Sequence, residues 1–401
     1  MKSNMLRIDK KLREYYAKGI AKAKRFIYRT EKPIYNLFKR QSEKRALISY
    51  ITAPFKLGIS YKHNNSQYVL EIAKLLDTRD YTVDIMDFRD SRRYDFTEYD
   101  LIIGFGEPFN NSYSQNSKAI RIYYGTIMNT AAHNSKTVER LVAFKEKYGV
   151  WLPESARIEA NAYPLQTQAV DAIVAYGNST IHQSYKKDFS GPIYPLHNIN
   201  FIFRDSKDTL SVAKDWDKAK LNFCTFPAAG LIHKGIDVVL ELFAKHPEWT
   251  LYLAGPLTRE PRFLKFFEKT LKLPNIKQLG FVDMSSPEYL QILDRCAFFL
   301  SPSASEGCPT SVINACTNSA LIPIATAESG LEDNASYVVP LSEITEDALE
   351  KAINNAHALS NKKLETMAKA AHEHFYTAHS KQHYIEELSF ALDKIITAKS
   401  E

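Results

Sequence analysis

From Arg45 onward, short runs of β-branched and aromatic residues alternate with stretches whose apolar side chains recur at helical spacing, and after a polar interval the alternation begins again. Strands read at 46–51, 81–88, 99–106, 119–126, 169–178 and 193–200, with helices at 66–80 and 135–149. In the second round the strands are 221–226, 249–255, 276–282, 297–303 and 321–327, and the helices 234–247, 262–272, 286–296 and 309–319. Strands this apolar are buried on both faces, which requires helical crossovers on both sides of a parallel sheet. The fold class is therefore α/β, two doubly wound domains in tandem. In such sheets ligands sit beyond the carboxyl ends of the strands, where loops and helix N-termini gather.

A chain of 401 residues suits two domains of ordinary size. Residues 45–203 are expected to form the first and 221–378 the second, joined by the charged interval 204–220, which has no apolar stripe and reads as a linker. Residues 379–399 read as a long amphipathic helix.

Charge is unevenly spread. Residues 1–45 hold fifteen Lys and Arg against four Asp and Glu, a surplus of +11, which leaves −5 on the other 356 residues of a chain whose net charge is +6. In the arm, residues 1–44, Ile8, Leu12, Tyr15, Tyr16, Ala23, Phe26 and Ile27 follow helical spacing until Pro33 interrupts. A basic amphipathic helix with aromatic residues suits an anionic membrane surface; a helix packed on its own protein is the plainer alternative. The acidic body continues no basic groove, so nucleic acid is not an expected partner. No run approaches the length of a membrane span and no signal peptide is legible, so the expected location is cytoplasmic, with the arm at the inner face of the membrane. Cys224, Cys296, Cys308 and Cys316 lack paired short spacings and read as reduced packing residues.

Two loops of the second half carry candidate chemistry. In 226–243, a small-residue loop leads to His233, Lys234 and Gly235 at the mouth of a helix whose Ile236, Val239, Leu240 and Phe243 form one stripe. Exposed N–H groups and the helix dipole favour an anion there, and Lys234 adds a mobile charge. In 301–316, Glu306 follows a strand, Gly307 permits close approach of a ligand, and Pro309 suits a first helical turn that exposes the N–H groups of Thr310 and Ser311. Glu306 and Asn314, one turn further in, have the groups to grip sugar hydroxyls. Gly58 and His63 in the first βα loop, and His133 after the fourth strand, are candidates on the first domain's side. No Asp-x-Asp follows a strand, so neither a metal nor another cofactor is expected.

The stretches 233–256, 275–283 and 301–333, with the lysine and glycine opening one helix and the glutamate loop opening another, resemble the donor-binding half of retaining, nucleotide-sugar-dependent glycosyltransferases of the GT-B fold, the group 1 or family 4-like enzymes. The likeness covers most of 219–333 and is more diffuse around 58–76. It implies that Lys234 meets a donor diphosphate, Glu306 the transferred sugar, the loop Gly307, Cys308, Pro309, Thr310 and Ser311 the sugar and phosphates, and Asn314 the nucleotide ribose. Glu328 and Gly330 correspond to the loop under the donor sugar, and residues 379–399 to a helix that crosses back to the first domain. Two positions depart from the pattern. Asn314 stands where the family has a second glutamate, and the arginine usual about five residues before the lysine is absent, with Ala229 and Gly230 in its place.

The activity implied is transfer of a sugar from a nucleotide sugar to a glycan or lipid-linked acceptor, with retention and without a metal. The basic arm suggests a membrane-held acceptor in bacterial surface polysaccharide synthesis. The alternatives are a non-catalytic nucleotide-sugar-binding recruiter at the membrane and a nucleotide-sugar epimerase. An oxidoreductase is disfavoured because no strand is followed by G-x-G-x-x-G.

Overall fold

The computed structural model describes residues 32–59, 64–159 and 165–400. The expected arm helix before Pro33 and the candidate His63 lie outside them. Among the described residues are two six-stranded sheets. The first runs in the order β2-β1-β3-β4-β5-β6, with β1 Arg45–Tyr50, β2 Thr82–Asp87, β3 Leu101–Gly104, β4 Ile120–Gly125, β5 Ala172–Tyr176 and β6 Ile193–Leu196. The second runs β12-β11-β10-β7-β8-β9, with β7 Asn222–Thr225, β8 Thr250–Ala254, β9 Ile276–Gly280, β10 Phe298–Ser301, β11 Ile322–Thr326 and β12 Val339–Leu341. Their strands pair in parallel, as continuous apolar runs such as β1, with Ala46, Leu47 and Ile48 fully buried, require.

The chain divides into two compact units, residues 1–58 with 69–123 and residues 59–68 with 124–401. In the first, Ile34 bridges Ile85 in antiparallel fashion and the Leu37 N–H donates to Val83 at 2.9 Å, so the described end of the arm runs along β2. Gly58 is exposed after the short helix Ala53–Leu57, with φ at 80°.

In the second unit, the helix Thr130–Tyr148 starts at Asn129, whose side chain caps Ala131, and it buries Leu141 and Phe144 in the same apolar cluster as Phe223, Val239 and Phe243. The helix Ile236–Lys245 buries its predicted stripe of Ile236, Val239, Leu240 and Phe243 almost completely, roughly 1.5–3 kcal/mol for each side chain. This packing brings the first turns of Thr130–Tyr148 to the loops after β7 and β10. Those two strands are neighbours although β8 and β9 intervene in sequence, so the sheet order reverses there, and the loops after them meet, the Ala304 N–H donating to the His233 carbonyl at 2.9 Å.

The final helix, Lys381–Ser400, packs on β5 and β6, and its Tyr384 hydroxyl lies 2.8 Å from that of Tyr124 on β4. Two expectations needed revision. The interval 204–220 holds two short helices, Ser206–Ser211 and Trp216–Ala219, because Asp205 and Asp215 each accept a hydrogen bond from their first turns. The expected helix over 262–272 breaks at Phe267 into Pro261–Phe266 and Glu268–Leu271. The helices Glu346–His357 and Asn361–Thr377, and strand β12, were not expected from sequence.

Candidate functional site

The loop after β7 is held from beneath by Glu260, a carboxylate only 2 % exposed that accepts from Gly230 N–H at 2.6 Å and Leu231 N–H at 3.0 Å. Above that clasp the Lys234 N–H donates to Gly230 at 2.8 Å, and Gly235, with φ at 67°, turns the chain into the helix Ile236–Lys245. Gly235 is also obligatory for space, since a Cβ there would stand 2.4 Å from the Pro302 carbonyl. The first-turn carboxylate of that helix, Asp237, is neutralised by Arg140, at 2.8 and 2.9 Å from its two oxygens.

Lys234 Nζ and Glu306 Oε1 are in direct contact. The other oxygen of Glu306 accepts from Arg157 Nη1 at 3.0 Å, and Ser303 Oγ donates to Oε1 at 3.0 Å. One buried carboxylate thus answers two cations. Burial, with the Arg157 charge beside it, pushes the Lys234 ammonium well below its usual range, and burial also lowers Arg157; contact with Glu306 opposes both shifts.

Arg157 is the residue that sequence reasoning missed. It lies in an irregular segment after the short turn Pro153–Ser155. Its backbone carbonyl accepts from His133 Nε2 at 2.7 Å, which places the guanidinium. Gly230, with φ at 82°, makes room for it: a Cβ at 230 would come within 3.0 Å of Arg157 Cβ.

His133 and His233 lie side by side, ring centroids 4.9 Å apart, and both are neutral. His133 Nε2 donates to Arg157 O, leaving Nδ1 to accept from Ser305 Oγ at 3.0 Å. His233 Nε2 donates to Ser305 O at 2.9 Å, leaving Nδ1 to accept from Thr137 Oγ1 at 2.6 Å. Burial, with the charges of Arg157 and Lys234 alongside, pushes His133 down to about 4. Burial and the charge of Lys234 push His233 down to about 2. Both rings are structural braces, fully or nearly fully buried; the sequence had placed His133 on the acceptor side, open to a cleft.

The loop after β10 differs from expectation in what approaches its glycine. A Cβ on Gly307 would stand 2.4 Å from the Thr126 carbonyl, so the close approach is made by the chain's own backbone after β4. Cys308 is buried with φ at 66°, and its carbonyl accepts from Asn198 Nδ2 at 2.6 Å. Gly330 lies beneath, where a Cβ would be 2.7 Å from Cys308 N. Glu328 gives its carbonyl to Glu306 N–H at 2.9 Å, and its half-buried carboxylate meets Lys136 at 3.3 Å. Thr310 and Ser311 remain partly exposed at the start of the helix Thr310–Asn318, whose Pro309 cap offers no side-chain hydrogen bond.

Asn314 is fully buried, which corrects its expected place. Its Oδ1 accepts from Phe201 N–H at 2.8 Å and its Nδ2 donates to Asn64 Oδ1 at 3.2 Å, so both ends of the amide serve the chain's own structure rather than a ribose. A glutamate there would have no N–H to donate to Asn64 Oδ1. The structure therefore gathers His233, Lys234, Gly235, Glu306, Gly307, Cys308, Glu328, Gly330 and His133 around one centre in the second unit, while Gly58 belongs to the first.

Residues 212–374 match the family model described as glycosyl transferases group 1. That stretch is a group 1 glycosyl transferase domain. It contains Lys234, Glu306 and the loops that hold them, whereas His133 and Arg157 reach it from outside the matched residues. Among solved structures, the chain is similar to sucrose-phosphate synthase from Thermosynechococcus elongatus, 15% identical, with 89% of this chain and all of that one covered and a TM-score of 0.58. It is also similar to trehalose 6-phosphate synthase from Burkholderia multivorans, 10% identical over 89% of this chain and all of that one, TM-score 0.56. Anabaena HepE in complex with UDP and glucose is 14% identical over 88% of this chain and all of its own, TM-score 0.53. No curated protein matched in sequence. At these identities the structures speak for the fold, which is GT-B; the group 1 family is one of glycosyltransferases that use nucleotide-sugar donors.

Proposed function

We propose that the chain transfers a sugar from a nucleotide-sugar donor to a glycan or lipid-linked acceptor with retention of configuration, and that protein cations, without a metal, receive the leaving diphosphate. The observation that carries this reading is the pair of cations, Lys234 and Arg157, on the single carboxylate of Glu306, beside the mouth of the helix Ile236–Lys245. Departure of a nucleoside diphosphate develops negative charge where two cations and a helix N-terminus already point, and fixed charges in a largely buried site stabilise it without reorganisation. Arg157 supplies the second cation that the sequence lacks at Ala229 and Gly230. An incoming diphosphate competes with Glu306 for these cations and turns the carboxylate toward the sugar.

A nucleotide-sugar-binding recruiter without turnover is the second reading, and the commitment of Asn314 to the chain's own backbone favours it. The basic arm supports a membrane-held acceptor and hence a surface polysaccharide pathway. Among the described residues no helix is long and apolar enough to cross a membrane. If a chain starting near Lys44 bound anionic vesicles as well as the full chain, the arm would lose that role.

The test is calorimetry and product analysis on the full chain with UDP-, GDP- and ADP-sugars, UDP-sugars first because HepE, of the same fold, was solved with UDP and glucose. Binding with transfer or slow hydrolysis is expected, weakened in both Lys234→Ala and Arg157→Ala. Binding without turnover would select the recruiter. Failure of every nucleotide diphosphate to bind at millimolar concentration would end both readings.

A further inference from the structure

Away from the donor centre, the loop after β6, the loop after β11, the last turn of the helix Asn361–Thr377 and the turn that follows it bring three histidines onto one carboxylate oxygen. Glu332 Oε1 lies 2.8 Å from His374 Nε2, 3.5 Å from His379 Nε2 and 3.8 Å from His197 Nε2. His197, Glu332 and His374 offer ligand atoms all within 4.8 Å of one another.

The outer nitrogens decide what the inner ones present. His379 Nδ1 lies 2.9 Å from the Asn198 carbonyl, which only accepts, so Nδ1 carries the proton and Nε2 of the neutral ring is a bare lone pair. That ring is 1 % exposed, and its Nε2 has no hydrogen-bond partner. His197 Nδ1 likewise donates to Glu387 Oε1 at 2.7 Å, and Glu387 is held in turn by the His197 N–H at 2.8 Å and by His383 at 3.1 Å. His197 Nε2 thereby faces Glu332 Oε1, and in the neutral ring, with the proton on Nδ1, it is a lone pair. His374 Nε2 makes no hydrogen bond of acceptable geometry either, despite its short distance to Glu332. The second oxygen of Glu332 accepts from the Tyr337 hydroxyl at 2.5 Å.

Lone pairs facing a carboxylate repel unless a positive ion stands between them. Tetrahedral ligands about 2.0–2.1 Å from a zinc ion are roughly 3.3 Å from each other, and the three separations from Glu332 Oε1 bracket that value. The second sphere is also in place: a carboxylate or a carbonyl behind each of two rings and a phenol behind the glutamate, the arrangement that fixes tautomers and orients metal ligands. His197, Glu332 and His374 are about one-quarter exposed, which leaves an entry path.

We propose that His197, Glu332 and His374 form a site for a divalent transition ion of the zinc type, chosen by its imidazole and carboxylate donors, with the fourth position taken by water. The sequence reading expected no metal; this site stands apart from the donor diphosphate and does not rest on the proposed activity. Its effect is to tie the end of the first sheet to the loop under β11 and to the two C-terminal helices.

The experiment uses the full chain, stripped with chelator and dialysed, titrated with Zn²⁺ by calorimetry and followed by thermal unfolding, with Co²⁺ as a spectroscopic probe. Expected are one equivalent bound, a rise in Tm of about 3 °C at a hundredfold excess over Kd, reversal by EDTA, and tetrahedral-type visible absorption with Co²⁺. His374→Ala and Glu332→Gln should each keep the far-ultraviolet spectrum of the parent and lose the response. His246→Ala, at a histidine paired with Glu248 and Glu350, should keep it. Absence of stoichiometric binding up to 1 mM Zn²⁺, or a response that survives in both site variants, would overturn the proposal. So would a metal-free protein that gains stability from pH 8 to pH 6 through this cluster while ignoring Zn²⁺, since the ions between the lone pairs would then be protons.

Discussion

Glu306 and Glu332 are both carboxylates drawn inward beside nitrogen groups, but the nitrogen around Glu306 belongs to a lysine and an arginine, whereas around Glu332 it belongs to three imidazoles. Lys234 and Arg157 carry their charge with them, so Glu306 is balanced before any ligand arrives. Two of the rings around Glu332, His197 and His379, are bonded through their outer nitrogens, and a neutral imidazole brings no charge at all. The first centre is complete and must be displaced by an anion; the second asks for a cation. Two clusters built from similar atoms therefore point to ligands of opposite sign.

The sharpest way to break this contrast is to neutralise each glutamate in turn. Glu306→Gln leaves Lys234 and Arg157 facing each other largely buried and uncompensated, and should cost about 3–5 kcal/mol in urea unfolding. Glu332→Gln, measured metal-free at pH 8, should cost less than about 1 kcal/mol, because the new amide N–H groups can donate to the bare Nε2 atoms. Equal costs would erase the distinction.

A second difference lies in pH. His133 is held at about 4 in the folded chain against a usual value near 6.5. Between those values the unfolded chain takes up a proton that the folded one refuses, so stability is complete above pH 6.5 and falls as pH drops toward 4, by up to about 3 kcal/mol. Tm measured across that window should decline, and His133→Gln should flatten the decline. A slope unchanged in that variant would assign it elsewhere.

Arg157→Ala should lower kcat/KM about 10²-fold, with Arg157→Lys recovering only part, since a lysine restores charge without the planar fork. Were lysine to restore everything, Arg157 would be acting as a bulk charge. Gly230→Ala should act through the same guanidinium, more mildly than removing it. At φ of 82° and with Arg157 Cβ at 3.0 Å, it should cost about 1–2 kcal/mol and raise the donor KM several-fold by pushing the guanidinium aside.

The alternation of apolar strands and helical stripes made both sheets legible, and with them the neighbouring loops of Lys234 and Glu306, because ends of adjacent strands must meet. Gly307 was legible as a point of close approach, but not that the Thr126 carbonyl fills it, since the partner comes from 181 residues earlier in the chain. Arg157 gave no signal: it sits in an unpatterned stretch, and only the emptiness of Gly230 shows where it goes. Asn314 read as a ligand because an amide can grip hydroxyls and it stands where the resembled family has a second glutamate; the Phe201 N–H claims it instead. For the metal proposal a trace was present in His374, His379 and His383, three histidines within ten residues, but their spacing fits no single helical face.

The grouping of residues 59–68 and 124–401 as one compact unit bears on how the gene can be divided. A cut in the charged interval 204–220, the natural choice from the sequence, would strand Arg157 and His133 on one polypeptide and Glu306 on the other. Two fragments made that way would each display a tidy sheet and neither would hold an intact charge triad, so a silent C-terminal half in an assay would say nothing about the parent enzyme.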